Sequence, residues 1–377
     1  MRLTPQHSCA TIAIAMTFIL ILIIFVGPML PGAACDSSAG TLRASTAPLT
    51  LATVEYRPAA AEEEWLAHIA EWHVDVCARL ASPPWRSSFQ LLIDMLDAQA
   101  QGGESDEAVP VQLASAQAAA EAAGLLSHMV YRFSDGSSTS VALEPLIGLL
   151  RDPRPSCDGA PSEAFTPRVE WGLVDQKMWV LLDPARKKAA DLGGVKQLAA
   201  PRAPAYRRAL LFDMGGSRFM HAQGGRWIQR MFARLGVNFD HVYVWEAFPT
   251  FTADYFEGAP ADALSRVHFF GWPVTDAADS DSNPFALVKK FATPEDFVAV
   301  KLDIDSADLE LSLATQLLED EQLHSLVDEF FFEHHVMVRD FDHWTRDSLG
   351  SKPGTLVDSY RIFRGLRDVG IAAHSWP

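Results

Sequence analysis

Cysteine and asparagine are scarce in this sequence, and their scarcity excludes several kinds of site. The four cysteines include no CxxC pair, so a thiolate zinc centre is not expected. Cys77 and Cys157 could form a disulfide in an oxidising compartment, although the sequence slightly favours free buried thiols. Neither Asn238 nor Asn283 heads an acceptor sequon, so N-linked glycosylation is not expected.

Positive charge is also in short supply. The chain holds 31 Lys and Arg residues against 48 Asp and Glu residues, a formal net charge of -17. The sequence contains no cluster of Lys and Arg residues that could neutralise the phosphates of a nucleic acid. The sequence therefore predicts no nucleic-acid partner. Hydrophobic residues make up 49% of the 377 positions, which is enough to build a sizeable core.

What the chain does have near its start is an uncharged apolar run. Cys9–Val26 is long enough to cross a bilayer as a helix, and Arg2 before it favours a cytoplasmic N-terminus. We expect residues 1–35 to form a signal anchor with one transmembrane helix. Residues 36–377 would then face the lumen of the secretory pathway or the Golgi, as in a type II membrane protein. The alternative is a signal peptide cleaved near Gly32–Ala34, which would leave a secreted protein.

Composition and periodicity divide the remainder into three parts. Residues 36–61 are rich in Ser, Thr, Ala and Pro, which predicts a stalk. Residues 62–200 predict a mixed, mostly helical accessory region, with a helix over Glu62–Leu80 and a hairpin of Met129–Phe133 with Thr139–Leu143. From 201 to 377, apolar runs alternate with helical patterns. This alternation predicts an α/β fold with a mostly parallel sheet and right-handed crossovers.

Acidic residues stand at the carboxyl ends of the predicted strands. They are Asp213, Glu246, Asp303, Asp305 and Glu333. Because the carboxyl ends of parallel strands lie along one edge of the sheet, we expect these acids to converge on one cleft. A chance scatter of surface acids is the plain alternative in a chain with 48 of them.

The first two acids suggest a nucleoside cofactor. Asp213 is followed by Gly215 and Gly216, and a backbone without Cβ can approach a ligand closely. Glu246 ends the second strand of this region, where an acid accepts hydrogen bonds from ribose hydroxyls.

The later acids suggest a cation or a proton transfer. Asp303 and Asp305 would point to the same side of an extended segment, which suits a divalent metal. His334 and His335 follow the last acid and could supply a general base, because imidazole titrates near neutrality. A hydrogen-bonded loop is the plainer reading of this histidine pair.

In order and spacing, these stretches resemble the FkbM-like methyltransferases. The matching segments are FDMGGS (Phe212–Ser217), VWEAFP (Val244–Pro249), VKLDIDSADLE (Val300–Glu310) and FFEHH (Phe331–His335). The resemblance spans about residues 209–335 and implies a Rossmann-like sheet of the class I methyltransferase type. It departs from the family at the glycine loop, where Ser217, Arg218 and Phe219 follow the two glycines.

The resemblance implies S-adenosylmethionine as cofactor and O-methylation of a hydroxyl on a sugar or small metabolite, with a small-molecule or glycan acceptor as partner. Its pattern assigns cofactor binding to Asp213, Gly215, Gly216 and Glu246. The same pattern assigns catalysis to Asp303, Glu333 and His335. In a metal-assisted version, Asp303 and Asp305 would hold a divalent cation.

Two other functions remain open on the sequence. A membrane anchor, a stalk and Asp303-Ile304-Asp305 after an apolar strand also resemble a Golgi-type glycosyltransferase, with manganese bridging a nucleotide-sugar diphosphate. That reading leaves Asp213 and Glu246 without a role. Because the glycine loop is altered, the domain could also be a Rossmann-like module that binds a ligand without catalysing a reaction.

Overall fold

The structure is a computed structural model that describes residues 50–72, 75–100, 109–150, 180–191, 206–219, 225–247, 252–335 and 354–376. The expected signal anchor and the stalk up to residue 49 lie outside this part of the chain. Within it, no helix combines the length and apolarity needed to cross a membrane.

The described residues between 50 and 150 form a small antiparallel sheet and four helices. The elements are β1 (Leu51–Arg57), α1 (Ala60–Trp72), α2 (Val76–Ala81), α3 (Trp85–Ala100), α4 (Val109–Ala122), β2 (Ser127–Phe133) and β3 (Ser138–Leu143). The sheet has the order β1-β2-β3, and the expected hairpin of β2 with β3 is confirmed. The expected helix over Glu62–Leu80 is divided into α1 and α2.

Strand β1 corrects the prediction of a stalk over residues 36–61. The segment LATVEYR carries the β-branched and aromatic residues that favour a strand. It pairs antiparallel with β2, and Tyr56 is buried. Residues 51–57 of the expected stalk therefore belong to a sheet.

Cys77 is disulfide-bonded, so the expectation of free thiols is wrong at this position. Its partner, and with it the suggested Cys157, lies outside the described residues.

The C-terminal part alternates strands and helices. Its elements are α5 (Pro184–Asp191), β4 (Ala209–Met214), α6 (Gly225–Arg234), β5 (His241–Trp245), α7 (Thr252–Tyr255), β6 (Val267–Phe270), α8 (Pro284–Phe291), β7 (Phe297–Leu302), α9 (Ala307–Glu319), α10 (Glu321–His324), β8 (Glu329–Phe332), α11 (Leu356–Asp368) and β9 (Ala372–Ser375). The strands form a six-stranded sheet in the order β6-β5-β4-β7-β8-β9, and every pairing is parallel. The expected parallel α/β architecture is confirmed, and its strand order is that of a Rossmann fold.

Side chains alternate between the two faces of this sheet. Leu210 and Phe212 of β4 belong to the core on the side of α9 and α11, whereas Leu211 packs with α6 on the opposite side. A sheet buried on both faces explains why its strands read as continuous apolar runs. Trp65 of α1 and Phe89 of α3 share the first of these cores, and residues 48–377 form one compact unit.

A buried polar network joins the small sheet to the large one. Glu144 follows β3, and its Oε1 accepts hydrogen bonds from Arg367 of α11 at 2.6 Å and from His374 of β9 at 2.8 Å. The other imidazole nitrogen of His374 lies 2.7 Å from Oε2 of Glu329 on β8. Both ring nitrogens therefore face carboxylates, an arrangement that favours the imidazolium.

Stability should consequently fall as the pH rises from neutral to alkaline. Burial alone would lower the pKa of His374, but Glu144 and Glu329 raise it to about 9. The unfolded chain titrates near 6.5. The stabilisation is therefore complete below about pH 6.5 and is lost as the pH rises to about 9, a change on the order of 3 kcal/mol.

Urea unfolding of the wild type and of His374→Gln at pH 6 and pH 9 would check this expectation. The wild type should lose clearly more of its free energy of unfolding between these pH values than the variant. Equal losses would show that His374 does not carry the effect.

Candidate functional site

A cleft opens at the carboxyl edge of the parallel sheet, where the strand order reverses between β4 and β7. It has a volume of about 230 Å3. It is lined by residues that follow four strands: Gly215 and Ser217 after β4, Glu246 and Ala247 after β5, Trp272, Pro273 and Val274 after β6, and Asp303, Ile304, Asp305 and Ser306 after β7. This is the switch point at which Rossmann-like sheets bind their ligands.

The turn after β4 depends on Gly215. Its φ is +82°, and a Cβ added there would lie 1.4 Å from the carbonyl oxygen of Asp303. The Gly215 N–H donates to the carbonyl of Trp245 at 2.9 Å, which fixes the turn against the end of β5. The glycine therefore allows two strand ends to meet at the floor of the cleft.

Glu246 holds the same turn from the other side. Its Oε2 accepts a hydrogen bond from the Ser217 N–H at 2.7 Å, and the residue lines the cleft. The structure thus brings together the glycine turn and the acid at the end of the second strand of this sheet, as the sequence predicted.

Lys301 is a buried cation beneath the cleft that the sequence analysis did not assign to the site. Lys301 pairs with Asp213 across the sheet. Its ammonium lies 3.3 Å from Asp213 Oδ1 and 2.9 Å from Asp303 Oδ2. The ammonium also donates a hydrogen bond to the Gly215 carbonyl at 2.8 Å. A lysine within the apolar strand FVAVKL, next to a strand that ends in an acid, was the available signal.

Asp213 therefore lies beneath the cleft, in contact with Lys301, and is not one of the residues that line the cleft. It is fully buried, and burial raises its pKa despite the neighbouring ammonium of Lys301. Its contact with Lys301 stabilises the turn through the Gly215 carbonyl.

Asp303 is the acid that reaches the cleft from β7. Its Oδ2 also accepts from the indole N–H of Trp376 at 2.9 Å. Burial would raise the pKa of Asp303, but the charge of Lys301 outweighs it and holds the pKa below the usual range. Asp303 is therefore an ionised hydrogen-bond acceptor and a weak base.

A second group of ligand atoms lies beside the cleft, between β7, β8 and α9. Asp305, Glu333 and His335 bring one atom each within 4.8 Å of one another, and so do Asp303, Glu310 and Glu333. Glu310 was missed as a site residue. It occupies the buried stripe of α9 with Leu313, Ala314 and Leu317, and an acid in such a stripe was the signal for it.

The two adjacent histidines have separate roles. His334 Nδ1 lies 2.6 Å from the Ser359 hydroxyl of α11, and burial lowers its pKa to about 4. His335 Nε2 instead lies 3.3 Å from Glu333 Oε2 and 3.5 Å from Glu310 Oε2. Burial alone would lower the pKa of His335, but these carboxylates raise it. His334 therefore packs against α11, whereas His335 lies among the acidic residues.

The expectation that an extended segment carries both Asp303 and Asp305 is wrong. Asp305 has φ of 55°, in the left-handed region that aspartate tolerates better than most residues. The extended segment ends there, and among the described residues neither group of ligand atoms contains both aspartates.

The fold and this cleft define a Rossmann-like α/β protein with a cleft at its switch point. Comparison of the chain with protein-family models, with curated proteins and with solved structures returned no match.

Proposed function

We propose that this chain is an S-adenosylmethionine-dependent methyltransferase that methylates a hydroxyl group of a glycan or a small metabolite. One observation carries the proposal. Glu246 ends the second strand of the parallel sheet, and it lines a switch-point cleft in contact with the glycine turn. An acid in this position is suited to bind both hydroxyls of a cofactor ribose.

The lining of the cleft suits the other parts of the same cofactor. Trp272 is 46% exposed and stands beside Val274, so the wall after β6 offers an aromatic and an aliphatic surface to an adenine ring. Asp303 places an ionised carboxylate where a cationic ligand group would be favoured. The cofactor would supply an activated methyl group.

The protein's own part in the transfer is to hold the acceptor hydroxyl and receive its proton. Asp303 is poorly suited as a base, because its pKa lies below the usual range. Burial raises the pKa of Glu333, which lies 3.3 Å from His335. This carboxylate–imidazole pair is the better proton acceptor, and general-base catalysis contributes about 10²–10⁴ in rate.

The function can be tested by ligand-induced stabilisation of the full chain. S-adenosylhomocysteine at 100 times its dissociation constant should stabilise the protein by about 2.7 kcal/mol, visible as a rise in the melting temperature. The same assay with UDP- and GDP-sugars and manganese examines the glycosyltransferase alternative. Stabilisation by a nucleotide sugar alone would contradict the methyltransferase. Binding of the homocysteine product without methyl transfer to any hydroxylated acceptor would indicate a binding module.

The Glu246→Gln variant should bind S-adenosylhomocysteine about 1–3 kcal/mol more weakly, because the ribose loses charge-assisted hydrogen bonds. The amide oxygen can still accept from the Ser217 N–H, so the turn is preserved. Titration calorimetry would measure the change. Glu319→Gln, at the far end of α9, is the matched control and should bind like the wild type. Equal affinities for both variants would remove Glu246 from the ribose role.

A further inference from the structure

The group of acids beside the cleft contains more carboxyl groups than neighbouring basic groups. Asp305 is exposed, but Glu310 and Glu333 are 1% and 3% exposed. Among the described residues, His335 is the only basic group within 4.0 Å of either glutamate. The buried ammonium of Lys301 is already engaged by Asp213, Asp303 and the Gly215 carbonyl.

Two buried ligand atoms in this group make no hydrogen bond within the described part of the chain. They are Oε2 of Glu310 and Nε2 of His335. Nε2 stands 3.5 Å from Glu310 Oε2 and 3.3 Å from Glu333 Oε2, without the alignment of a hydrogen bond. Buried polar atoms normally make hydrogen bonds or bind an ion. Glu310 Oε2 and His335 Nε2 lie side by side without a hydrogen bond, so we expect them to share a ligand.

The protein holds Glu310 in this position through its backbone. Oε1 of Glu310 accepts from the Ile304 N–H at 2.7 Å, which ties the carboxylate to the loop between β7 and α9. The Glu310 carboxyl group thus stands at a fixed point, with Oε2 3.5 Å from Nε2 of His335.

We propose that Asp305, Glu310, Glu333 and His335 bind one divalent cation beside the cleft. Three carboxylates and one imidazole are a mixed oxygen and nitrogen set, which suits Mn²⁺ better than Ca²⁺. Ligands about 2.2 Å from one ion lie at most about 4.4 Å apart. Asp305, Glu333 and His335 offer ligand atoms within 4.8 Å of one another, and Glu310 Oε2 lies 3.5 Å from His335 Nε2, so small side-chain rotations would bring the four groups to one ion.

A cation at this position would lie next to Asp303, which lines the cleft. It would lower the pKa of a bound acceptor hydroxyl so that its proton passes to solvent, and Glu333 and His335 would then bind the ion and would not receive that proton. This role rests on the proposed methyltransferase function, whereas binding of the cation does not. The experiment is therefore a measurement of binding with neither cofactor nor acceptor present.

The full chain, freed of metal with a chelator, is titrated with Mn²⁺ and followed by electron paramagnetic resonance. We expect one Mn²⁺ per chain and a nitrogen coupling from a directly bound imidazole. This measurement needs no variant, so a folding defect cannot obscure it. Absence of stoichiometric binding, or a bound ion without nitrogen coupling, would overturn the proposal.

Two substitutions then assign the site. His335→Gln should abolish the nitrogen coupling, and Glu310→Gln should weaken Mn²⁺ binding at least tenfold while keeping the hydrogen bond from Ile304. His268→Gln is the matched control, because His268 is exposed and its imidazole lies 3.1 Å from that of His241. Coupling that survives in His335→Gln and disappears in His268→Gln would place the metal on the surface pair and overturn the proposal. Stabilisation by S-adenosylhomocysteine, measured separately, reports on the proposed function alone.

Discussion

Replacing Gly215 with alanine is expected to destabilise the protein by about 2–5 kcal/mol and to abolish ligand binding in the cleft. A positive φ costs an L-residue about 1–2 kcal/mol. The new methyl group would also collide with the Asp303 carbonyl, and overpacking of this kind adds about 1–3 kcal/mol. The contact can be relieved only if the ends of β4 and β7 separate, and that movement would displace Asp303.

Gly236 provides the matched control for this variant. Its φ is also +82°, but a Cβ added there would meet nothing within 4 Å. Gly236→Ala should therefore show only the backbone strain of about 1–2 kcal/mol and should bind ligand normally. Urea unfolding and titration calorimetry of both variants separate strain from collision. Equal destabilisation of the two would mean that the close approach of Gly215 to β7 is unimportant.

Replacing Arg367 with methionine is expected to destabilise the protein by about 3–5 kcal/mol, since it leaves a buried carboxylate without one of its two cationic partners. Arg367 is fully buried and donates to Glu144 Oε1, to the Glu144 carbonyl and to the Tyr56 hydroxyl. These contacts connect α11 to the small antiparallel sheet. The loss should therefore appear as global unfolding at lower urea concentration.

Arg361→Met in the same helix is the control for this second variant. The side chain of Arg361 is 75% exposed and pairs only with Asp358 among the described residues, so its removal should change stability by less than about 0.5 kcal/mol. A double variant, Arg367→Met with Glu144→Gln, should lose less than the sum of its single variants because the unpaired charge is gone. Additive losses would contradict a direct coupling between the two side chains.

The parallel sheet was predictable because its strands are short apolar runs, four of which have an acid at their carboxyl ends. HVYVW, VHFF and FVAVKL are three of these apolar runs, and they form β5, β6 and β7. Strand β1 escaped notice because LATVEYR adjoins a segment rich in Ser, Thr and Ala. Its partner, β2, begins about seventy residues later, and pairing over such a distance leaves no local pattern.

Within the site, the sequence identified residue types at strand ends but not the directions of their side chains. Asp305 was assigned to the same side as Asp303, because a left-handed residue cannot be recognised from an aspartate alone. Lys301 and Glu310 were overlooked as site residues. A charged residue inside an apolar strand or helix stripe can be assigned a role only when its partners are known. Those partners lie on other elements, and the tertiary fold brings them together.

The neighbouring positions of His334 and His335 have a consequence for the evolution of this chain. Phe330 and Phe332 of β8 belong to the core on the side of α9 and α11, Phe331 belongs to the opposite core, and His334 lies beside Ser359 of α11. Inserting a single residue within β8 would exchange the faces, setting Glu333 in the place of His334 beside Ser359 and moving His335 out of the acidic group. Point substitutions can alter the chemistry of this edge gradually, but an insertion or deletion in β8 would remove it in one event.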